Sequence, residues 1–361
     1  MAFTLSVYPW VYTAKYANGA WTESFEEKNH LSPDEEARLP HEELESLLQQ
    51  RNSFPNLPLI NYTTQYGLGC FEGLKAFPQA DGSLKLFRPI QNAARFRRSM
   101  EGLKMPGFPE EMFVEAARTV VSRNQTLGFA PTYDPSWEAD NFVGGDAVYL
   151  RPFSYSEPAV GLGLSSEPWV VIATTRVGSY FRPGSRSAVT TSRVRAVPGG
   201  TGWIKCNANY VTAILAKKEA ESDGYMEAIF LDAKEHRYVE EGSSCNIFFS
   251  LRNGELVTPD LGDTILPGIT RDSVLTIAQD LGIPTSERRL SIDEAMTETS
   301  EAFVVGTAAG IAHIESITHL GKRVEFNSGQ IGEVTKRLQY QLSGIKYGSQ
   351  PSRKEWMTAV S

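Results

Sequence analysis

The sequence predicts a mixed α/β (α+β) protein of two domains, on three observations. The chain has 361 residues, which is long for a single hydrophobic core. Short apolar runs typical of strands alternate along it with longer amphipathic stretches of helical period. Residues 176–188 break this periodicity and are rich in glycine and proline, as a linker would be. We therefore predict a smaller domain over 1–175, an interdomain loop over 176–188 and a larger domain over 189–361.

The elements of the first domain follow from local patterns. Residues 34–51 are polar and rich in glutamate, which predicts a helical excursion at the surface. Asp81 and Gly82 form a typical hairpin turn between two short apolar runs. The resulting prediction, in order, is strands over 74–77 and 84–87, helices over 91–103 and 109–127, and strands over 146–153 and 168–175.

The second domain mixes strands and helices in the same way. An amphipathic run begins at Tyr210, and Asn253 with Gly254 predicts a second hairpin turn. The resulting prediction, in order, is a helix over 210–217, strands over 225–232, 245–251 and 255–257, helices over 270–281 and 293–296, and a strand over 301–305.

Charge and composition exclude several classes of protein. The formal net charge of −8 argues against nucleic acid and against an anionic membrane surface as partners. No apolar run is long enough to span a membrane, and the N-terminus lacks the pattern of a signal peptide. The three cysteines are widely spaced and form no CxxC pair, which favours a cytoplasmic location. The five histidines form no ligand pair on a helix face, so we expect no metal site.

Lys205 is the most informative residue of the chain. It follows a loop of proline and glycine at 198–202 and the apolar pair Trp203 and Ile204, just before the amphipathic run that starts at Tyr210. A lysine at such a junction is expected to face inward, where burial favours its neutral form. A neutral amine is the form that makes a Schiff base with a carbonyl. The position predicts an enzyme that uses an aldehyde cofactor.

Two segments have the pattern of a phosphate site. Residues 266–271 open a helix, with Thr270 as the predicted cap and Gly268 allowing a ligand to approach the backbone. A capped helix without a ligand is the alternative, and it is common. A strand that ends in Gly306 and Thr307 can add a hydroxyl and N–H groups. Each segment is a weak signal by itself.

Charged residues elsewhere have two interpretations each. Glu241 lies on a predicted turn before a strand, where a protonated ring nitrogen would be a suitable partner, or it forms a solvated turn with Glu240. Tyr149 and Arg151 share one face of a strand by the two-residue period. Arg95 lies on a predicted helix. Surface charge is the alternative for both arginines.

Taken together and in order, these motifs resemble the class IV pyridoxal phosphate aminotransferases of fold type IV, and among them the branched-chain amino acid aminotransferases. The strings Phe-Glu-Gly-Leu-Lys-Ala-Phe at 71–77 and Gly-Gly-Thr-Gly-x-x-Lys at 199–205 are specific, and the resemblance extends from about residue 62 to 313. It implies pyridoxal 5'-phosphate as cofactor and a homodimer. It also implies ping-pong transfer of the amino group of leucine, isoleucine or valine to 2-oxoglutarate.

The resemblance also implies a role for each matching residue. Lys205 matches the Schiff-base lysine that also shuttles the proton, Tyr210 the tyrosine at the phenolate oxygen, and Glu241 the carboxylate at the pyridine nitrogen. The residues that match the family's phosphate ligands are Arg95, Ile269, Thr270 and Thr307. The residues that match its substrate pocket are Tyr66, Tyr149, Arg151, Tyr180, Ser244 and Ala308.

Two features separate this chain from parts of the family, and two rivals stay open. Vertebrate members carry a CxxC pair where Ala309 and Ala312 stand here, and many members continue the turn into a Pro-Val pair where this chain reads Ala-His-Ile-Glu at 312–315. One rival keeps the fold with other chemistry: a D-amino acid or amine transaminase, or an aminodeoxychorismate lyase. The second is a binding protein that keeps the fold without catalysis. Retention of Lys205, Tyr210 and Glu241 argues against the second.

Overall fold

The computed structural model describes residues 5–53, 57–178 and 186–361. The chain divides into two compact units. The first comprises Met1–Ser179, Cys206–Ala208 and Ile345–Ser361, and the second comprises Tyr180–Lys205 and Asn209–Gly344.

Strands and helices alternate along both units. The strands are β1 (Trp10–Ala17), β2 (Ala20–Glu27), β3 (Leu74–Pro78), β4 (Leu84–Phe87), β5 (Ala147–Tyr155), β6 (Trp169–Val177), β7 (Ser187–Thr190), β8 (Glu227–Leu231), β9 (Val239–Gly242), β10 (Asn246–Leu251), β11 (Leu256–Thr258), β12 (Thr285–Glu287), β13 (Thr299–Gly306), β14 (Gly310–Ile314), β15 (Ser316–His319), β16 (Lys322–Glu325) and β17 (Met357–Ala359).

The helices are α1 (Pro33–Glu36), α2 (His41–Arg51), α3 (Tyr62–Tyr66), α4 (Pro89–Gly102), α5 (Glu110–Thr126), α6 (Asn209–Ser222), α7 (Ile269–Asp280), α8 (Ile292–Glu298) and α9 (Glu333–Tyr347), with short 3₁₀ turns at Pro135–Asp140, Asn327–Gly329 and Lys354–Trp356. Within the three described ranges, no helix is both long and apolar enough to cross a membrane.

The first unit is built on a seven-stranded sheet in the order β17-β4-β3-β5-β6-β1-β2. All its pairings are antiparallel, and β5 pairs with β6 along its whole length. Helix α5 packs against β1 and β6, and α4 packs against α5. Phe96, Phe108 and Phe113 are fully buried, and the Phe96 ring contacts the other two. These aromatic rings form part of the hydrophobic core of the unit.

The C-terminal residues differ from the predicted domain division. Strand β17 pairs with β4, so Ile345–Ser361 belong to the first unit and not to the second. With these residues the first unit holds more of the chain than the second, the reverse of the predicted sizes. The sequence contained no signal for this return, because a three-residue edge strand is too short to show a period.

The polar excursion at 34–51 is partly buried. It forms α1 and α2, and most of its side chains are exposed, as predicted. Arg51, however, is only 1% exposed. Its guanidinium pairs with Glu36 and donates a hydrogen bond of 3.1 Å to the carbonyl oxygen of Val7. The buried ion pair therefore links the two helices of the excursion, and the hydrogen bond from Arg51 to Val7 joins the excursion to the rest of the first unit.

The second unit contains two five-stranded sheets. Their orders are β12-β11-β10-β13-β14 and β16-β15-β7-β8-β9. Buried aliphatic and aromatic side chains from β8, β9, β10 and β13 belong to one core cluster, which includes Ile229, Val239, Phe249 and Val304. This arrangement fixes β9 and the loops at the strand ends, which carry the candidate functional residues of the unit.

Most predicted elements are confirmed within one to three residues, including the hairpin β3–β4 and helices α4, α5 and α7. The β1–β2 hairpin, strands β14–β16 and helix α9 were missed. Strands β1 and β2 mix charged, polar and aromatic side chains, and alternation is hard to read in such segments.

Candidate active site

The loop before α6 holds Lys205 in a defined position. Gly202 lies so close to Thr264 that a Cβ atom there would be 2.6 Å from the Thr264 Cα. The side chain of Asn209, the first residue of α6, donates hydrogen bonds of 2.7 and 2.9 Å to the carbonyl oxygens of Thr201 and Ile204. The loop is thus held both by a close backbone approach and by the start of the helix.

Lys205 and Tyr210 form a direct pair. The Nζ atom of Lys205 donates a hydrogen bond of 2.7 Å to the Tyr210 hydroxyl oxygen and lies 5.3 Å from the centroid of its ring. Lys205 precedes α6 and Tyr210 is its second residue, so the helix start sets the spacing between them. The two groups predicted to bind the aldehyde carbon and the neighbouring oxygen of the cofactor are therefore next to each other.

Glu241 is buried in strand β9, not on a turn as predicted from the sequence. It is 4% exposed, and the Nε atom of Arg195 lies 2.5 Å from its Oε1 without the alignment of a hydrogen bond. The side-chain amide of Asn246 donates to its Oε2 at 3.3 Å. Burial raises the pKa of Glu241 to about 7, although the cations of Arg195 and Lys205 and a backbone N–H of Leu266 oppose this shift.

The alternative of a solvated turn at Glu240 and Glu241 is wrong. Every residue of β9 is buried, and Glu240 is only 7% exposed. Adjacent strand residues point to opposite faces, so the two carboxylates have different surroundings. Sequence reasoning could not detect this burial, because paired glutamates are usually surface charge.

Helix α7 begins at Ile269 and its cap is Gly268, not Thr270. The cap makes no side-chain hydrogen bond, and Thr270 is buried inside the first turn. A Cβ atom on Gly268 would overlap the amide oxygen of Asn246, so glycine is required there. Asn246 also donates a hydrogen bond of 3.0 Å to the carbonyl oxygen of Leu266. One amide therefore connects Glu241 to the start of α7, whose positive dipole end favours an anion.

Two turns of the second unit lie at neighbouring strand ends. Ser244 is in the turn between β9 and β10, and Thr307 and Ala308 are in the turn between β13 and β14. Asn246 pairs with Val305 in the β10–β13 ladder, so both turns are at the same edge of that sheet. Of the predicted set, the structure thus gathers Lys205 with Tyr210, and Ser244 with Thr307 and Ala308.

The remaining predicted residues that the structure describes belong to the first unit. Tyr149 and Arg151 are two residues apart on β5. The Arg151 guanidinium carbon lies 5.1 Å from the Tyr149 ring centroid and 4.7 Å from the Phe71 ring centroid. The predicted shared face of these two residues is confirmed. Tyr66 ends α3 and is 47% exposed. Tyr180 lies outside the described residues.

Arg95 is a buried residue that forms an ion pair. It is 5% exposed on α4, and its Nε and one terminal nitrogen donate hydrogen bonds of 2.6 and 2.9 Å to the two carboxylate oxygens of Glu72. Glu72 is fully buried. The surface interpretation of Arg95 is therefore wrong, and its predicted role at a phosphate stays a prediction.

Sequence reasoning missed two residues of the site. Arg195 supplies the cation beside Glu241, and Asn246 connects Glu241 with Leu266. Asn246 stood inside a recognised motif without an assigned role. Arg195 had no detectable signal, because an arginine in a loop has the pattern of ordinary surface charge.

The donor set of the second unit fits an aldehyde cofactor that carries a phosphate and a ring nitrogen. A lysine amine is paired with a phenol, a buried carboxylate has a raised pKa, and a helix begins without a side-chain cap. An amine, a hydroxyl, a carboxylate and an anion-binding helix end are the complementary groups for the carbonyl, the phenolate, a protonated nitrogen and a phosphate.

Comparison with known proteins identifies the family. The model of the amino-transferase class IV family matches residues 69–317, which is more than half of the chain. The chain belongs to this family, and it is therefore an aminotransferase. The predicted family, fold type and enzyme class are confirmed.

Relatives with narrower names are similar along most of the chain. The branched-chain-amino-acid aminotransferase of Mycobacterium tuberculosis is 39% identical over 307 residues, covering 82% of this chain and 80% of the relative. The solved branched-chain aminotransferase of Thermoproteus uzoniensis with norvaline is 27% identical, with a TM-score of 0.72, covering 96% of this chain and 99% of that one. The solved branched-chain amino acid aminotransferase of Thermobaculum terrenum in its PLP-form is 25% identical, with a TM-score of 0.72, covering 99% of this chain and 100% of that one.

Proposed function

We propose that this chain is an L-branched-chain amino acid aminotransferase that uses pyridoxal 5'-phosphate. It transfers the amino group of leucine, isoleucine or valine to 2-oxoglutarate by a ping-pong reaction. The observation that carries this proposal is the hydrogen bond of 2.7 Å between Lys205 and Tyr210, in the same unit as the buried Glu241. The names of the relatives support the substrate class, and the PLP-form of one of them supports the cofactor.

Each residue of the second unit has a proposed part in holding the cofactor. Tyr210 donates to the phenolate oxygen, and Glu241 pairs with the ring nitrogen. The start of α7 at Ile269 and Thr270 and the turn at Thr307 bind the phosphate through N–H groups and hydroxyls. Arg95 of the first unit is a further phosphate ligand by resemblance, and this role rests on the resemblance alone.

Lys205 is the proposed proton carrier. When bound, the cofactor supplies an electron sink for the charge that develops at the α-carbon of the substrate. The amine of Lys205 takes the proton from that carbon as a general base. It then donates the proton again as a general acid. Tyr210 is within hydrogen-bond distance and orients the amine. The Arg195 cation beside Glu241 favours the carboxylate form, which keeps a proton on its ring partner.

Substrate recognition is proposed for residues of both units. In the first unit, the aromatic rings of Tyr66 and Tyr149 offer apolar surface to an aliphatic side chain, and Arg151 is a cation suited to a carboxylate. In the second unit, the turns that carry Ser244 and Ala308 offer N–H groups to a carboxylate. Tyr180 is retained as a pocket residue on the resemblance.

The test is a panel of amino donors with 2-oxoglutarate, with the visible spectrum of the protein recorded alongside. L-leucine, L-isoleucine and L-valine should be turned over, and D-alanine should not. Turnover of D-alanine without L-leucine would make the chain a D-amino acid transaminase instead. A protein without a visible absorbance band after addition of pyridoxal phosphate would favour the binding-protein rival.

The predicted homodimer has one structural support. Helix α6 exposes Val211, Ile214 and Leu215 at 62, 57 and 46% of their surfaces, an apolar face of the kind that subunits cover. Light scattering coupled to size-exclusion chromatography tests whether the protein is a dimer. A monomer at micromolar concentration would contradict the prediction. The cytoplasmic location stays a prediction.

A further inference from the structure

A cavity of about 270 Å³ lies in the second unit, apart from every residue of the proposed cofactor site. Its walls come from the connection between β8 and β9, which includes Asp232 and Glu235, and from the loop at 259–265 that precedes α7. Pro198 and Arg289 complete it. Strand β9 separates the two sites, because Glu240 lines this cavity and Glu241 belongs to the other one.

The cavity has an excess of negative charge. Five carboxylates and two cationic side chains line it, namely Asp232, Glu235, Glu240, Asp260 and Asp263 against Lys234 and Arg289. Arg289 is already engaged, since its guanidinium lies 3.5 Å from the Tyr238 ring centroid and 3.5 Å from a carboxylate oxygen of Glu235. The charge balance of the cavity therefore favours a cation.

One oxygen of the buried Glu240 carboxylate lacks a hydrogen-bond donor among the described residues. The residue is 7% exposed, and its Oε2 atom accepts no hydrogen bond from any residue that the structure describes. Burial raises the pKa of Glu240, Asp232 and Asp263 raise it further, and the Thr264 hydroxyl and Arg195 oppose the shift. A donor that enters the cavity would satisfy an acceptor that the protein itself leaves without a hydrogen bond.

The neighbouring carboxylates are satisfied by backbone groups. Asp232 accepts hydrogen bonds of 2.7 to 2.9 Å from the N–H groups of Glu235, Arg237 and Tyr238. Asp263 accepts one of 2.5 Å from the N–H of Gly199. These bonds fix the two carboxylates at the cavity wall, so the negative field at Glu240 is built into the fold.

The spacing of the carboxylates favours an organic cation over a metal ion. Throughout the described part of the chain, no three His, Cys, Asp or Glu side chains are close enough to hold one metal ion. A chain with a positive group at each end can reach carboxylates that are too far apart to share a single ion. We propose that this cavity binds a small alkyl diammonium ion, with one ammonium group at Glu240 and the other at the remaining carboxylates of the cavity.

An occupant of the cavity would contact the loop that carries Lys205. Asp263 binds the N–H of Gly199 through its side chain, and its carbonyl oxygen accepts a hydrogen bond of 3.1 Å from the N–H of Trp203. Gly202 packs directly against Thr264. Asp263 and Thr264 therefore line the cavity and also contact the loop that holds Lys205 in position. These contacts give the bound cation a physical connection to the Lys205 amine.

The test is calorimetric titration of 1,4-diaminobutane into the full-length protein saturated with pyridoxal phosphate. We expect one site per chain and at least a tenfold weaker affinity in Glu240→Gln, which keeps the shape and removes the charge. Gly262→Leu should weaken binding similarly while keeping every carboxylate, because a side chain there enters open space in the cavity. Glu219→Gln, an exposed charge change outside the cavity, should bind within twofold of wild type.

Four outcomes would overturn the proposal. Wild type that binds no diamine at 10 mM lacks the site. Equal affinity in wild type, Glu240→Gln and Gly262→Leu would place the diamine elsewhere. Diamine binding that changes the visible band of the wild-type protein and is lost in Lys205→Ala would place the diamine at the cofactor. Tighter binding of Mg²⁺ than of the diamine, dependent on Glu240, would make the cavity a metal site. None of these outcomes depends on which amino acid the enzyme uses.

Discussion

Two sets of buried charges, one in each unit, differ in how fully the charge is compensated by its surroundings. In the first unit, Glu72 and Arg95 are both buried and meet through two aligned hydrogen bonds, and Glu36 and Arg51 form a second buried pair. In the second unit, the contact of Glu241 with Arg195 is close but not aligned, and the pKa of Glu241 is raised to about 7. Glu240 beside it has an oxygen that accepts no hydrogen bond within the described part of the chain.

This difference separates charges that support the fold from charges prepared for a ligand. A buried ion pair with well-aligned hydrogen bonds can offset the cost of removing both charges from water. A buried carboxylate with a raised pKa is incompletely compensated, and such groups are concentrated at functional sites. The comparison therefore predicts that breaking the Glu72–Arg95 pair affects stability, while changes at Glu240 and Glu241 affect binding and chemistry.

The largest effect is expected from Lys205→Ala. Removal of the only proposed proton carrier should lower transamination by at least about 10³-fold and remove the absorbance band that depends on a Schiff base between the cofactor and the protein. The free energy of unfolding should change by less than about 1 kcal/mol, because Lys205 is half-buried in a loop outside the hydrophobic core. Initial rates with L-leucine, visible spectra and denaturant unfolding measure the three quantities.

Lys218→Ala is the matched control for this change. Lys218 is an exposed lysine on α6 that pairs with Glu221 at the surface. Its loss should leave rate, spectrum and stability close to those of wild type. If Lys205→Ala kept activity within a few-fold of wild type, another lysine would have to carry the chemistry.

The next effect is expected from Glu72→Gln in the first unit. The change leaves the buried guanidinium of Arg95 without its carboxylate, which typically costs about 3–5 kcal/mol. Denaturant unfolding of the apoprotein measures this loss without interference from the cofactor. Glu115→Gln removes an exposed pair with Arg118 on α5 and should cost less than about 1 kcal/mol. Equal costs in the two variants would show that the Arg95–Glu72 pair does not stabilise the fold.

How far the sequence predicted the molecule depended on the kind of signal. Elements with a clear period, such as α5 and β5, were predicted closely, because their burial follows that period. The strings around Lys205 and Glu241 predicted the family, because their glycines and charged residues stand in a fixed order. The C-terminal strand β17 was not predictable, since its partner β4 lies more than 260 residues away in the sequence.

The surroundings of the charges were the least predictable part. Glu240, Glu241 and Arg95 all had the pattern of surface charge, and all three are buried. Burial of a charge depends on partners from distant segments, such as Arg195 for Glu241 and Glu72 for Arg95. A single sequence contains the residues but not their pairing. The same limit explains the cap of α7, where the close approach of Asn246 requires Gly268 and Thr270 makes no cap.

The smallest of the three effects is a dependence of stability on pH that should distinguish Glu241 from an ordinary carboxylate. Its pKa in the folded apoprotein is about 7, against 4.5 as its ordinary value. Because the folded state binds the proton more tightly, the contribution of Glu241 to stability is full below about pH 4.5 and is lost as the pH rises through 7. The loss amounts to about 2–3 kcal/mol between pH 5 and pH 8.

In Glu241→Gln this titration is absent, so the stability of wild type relative to the variant should fall by that amount over the same range. Glu333→Gln, at the exposed start of α9, is the control for the substitution itself. Urea unfolding of the apoproteins at both pH values measures the difference. A constant difference between wild type and Glu241→Gln would mean that Arg195 compensates Glu241 as fully as Arg95 compensates Glu72, and the contrast between the two units would then not hold.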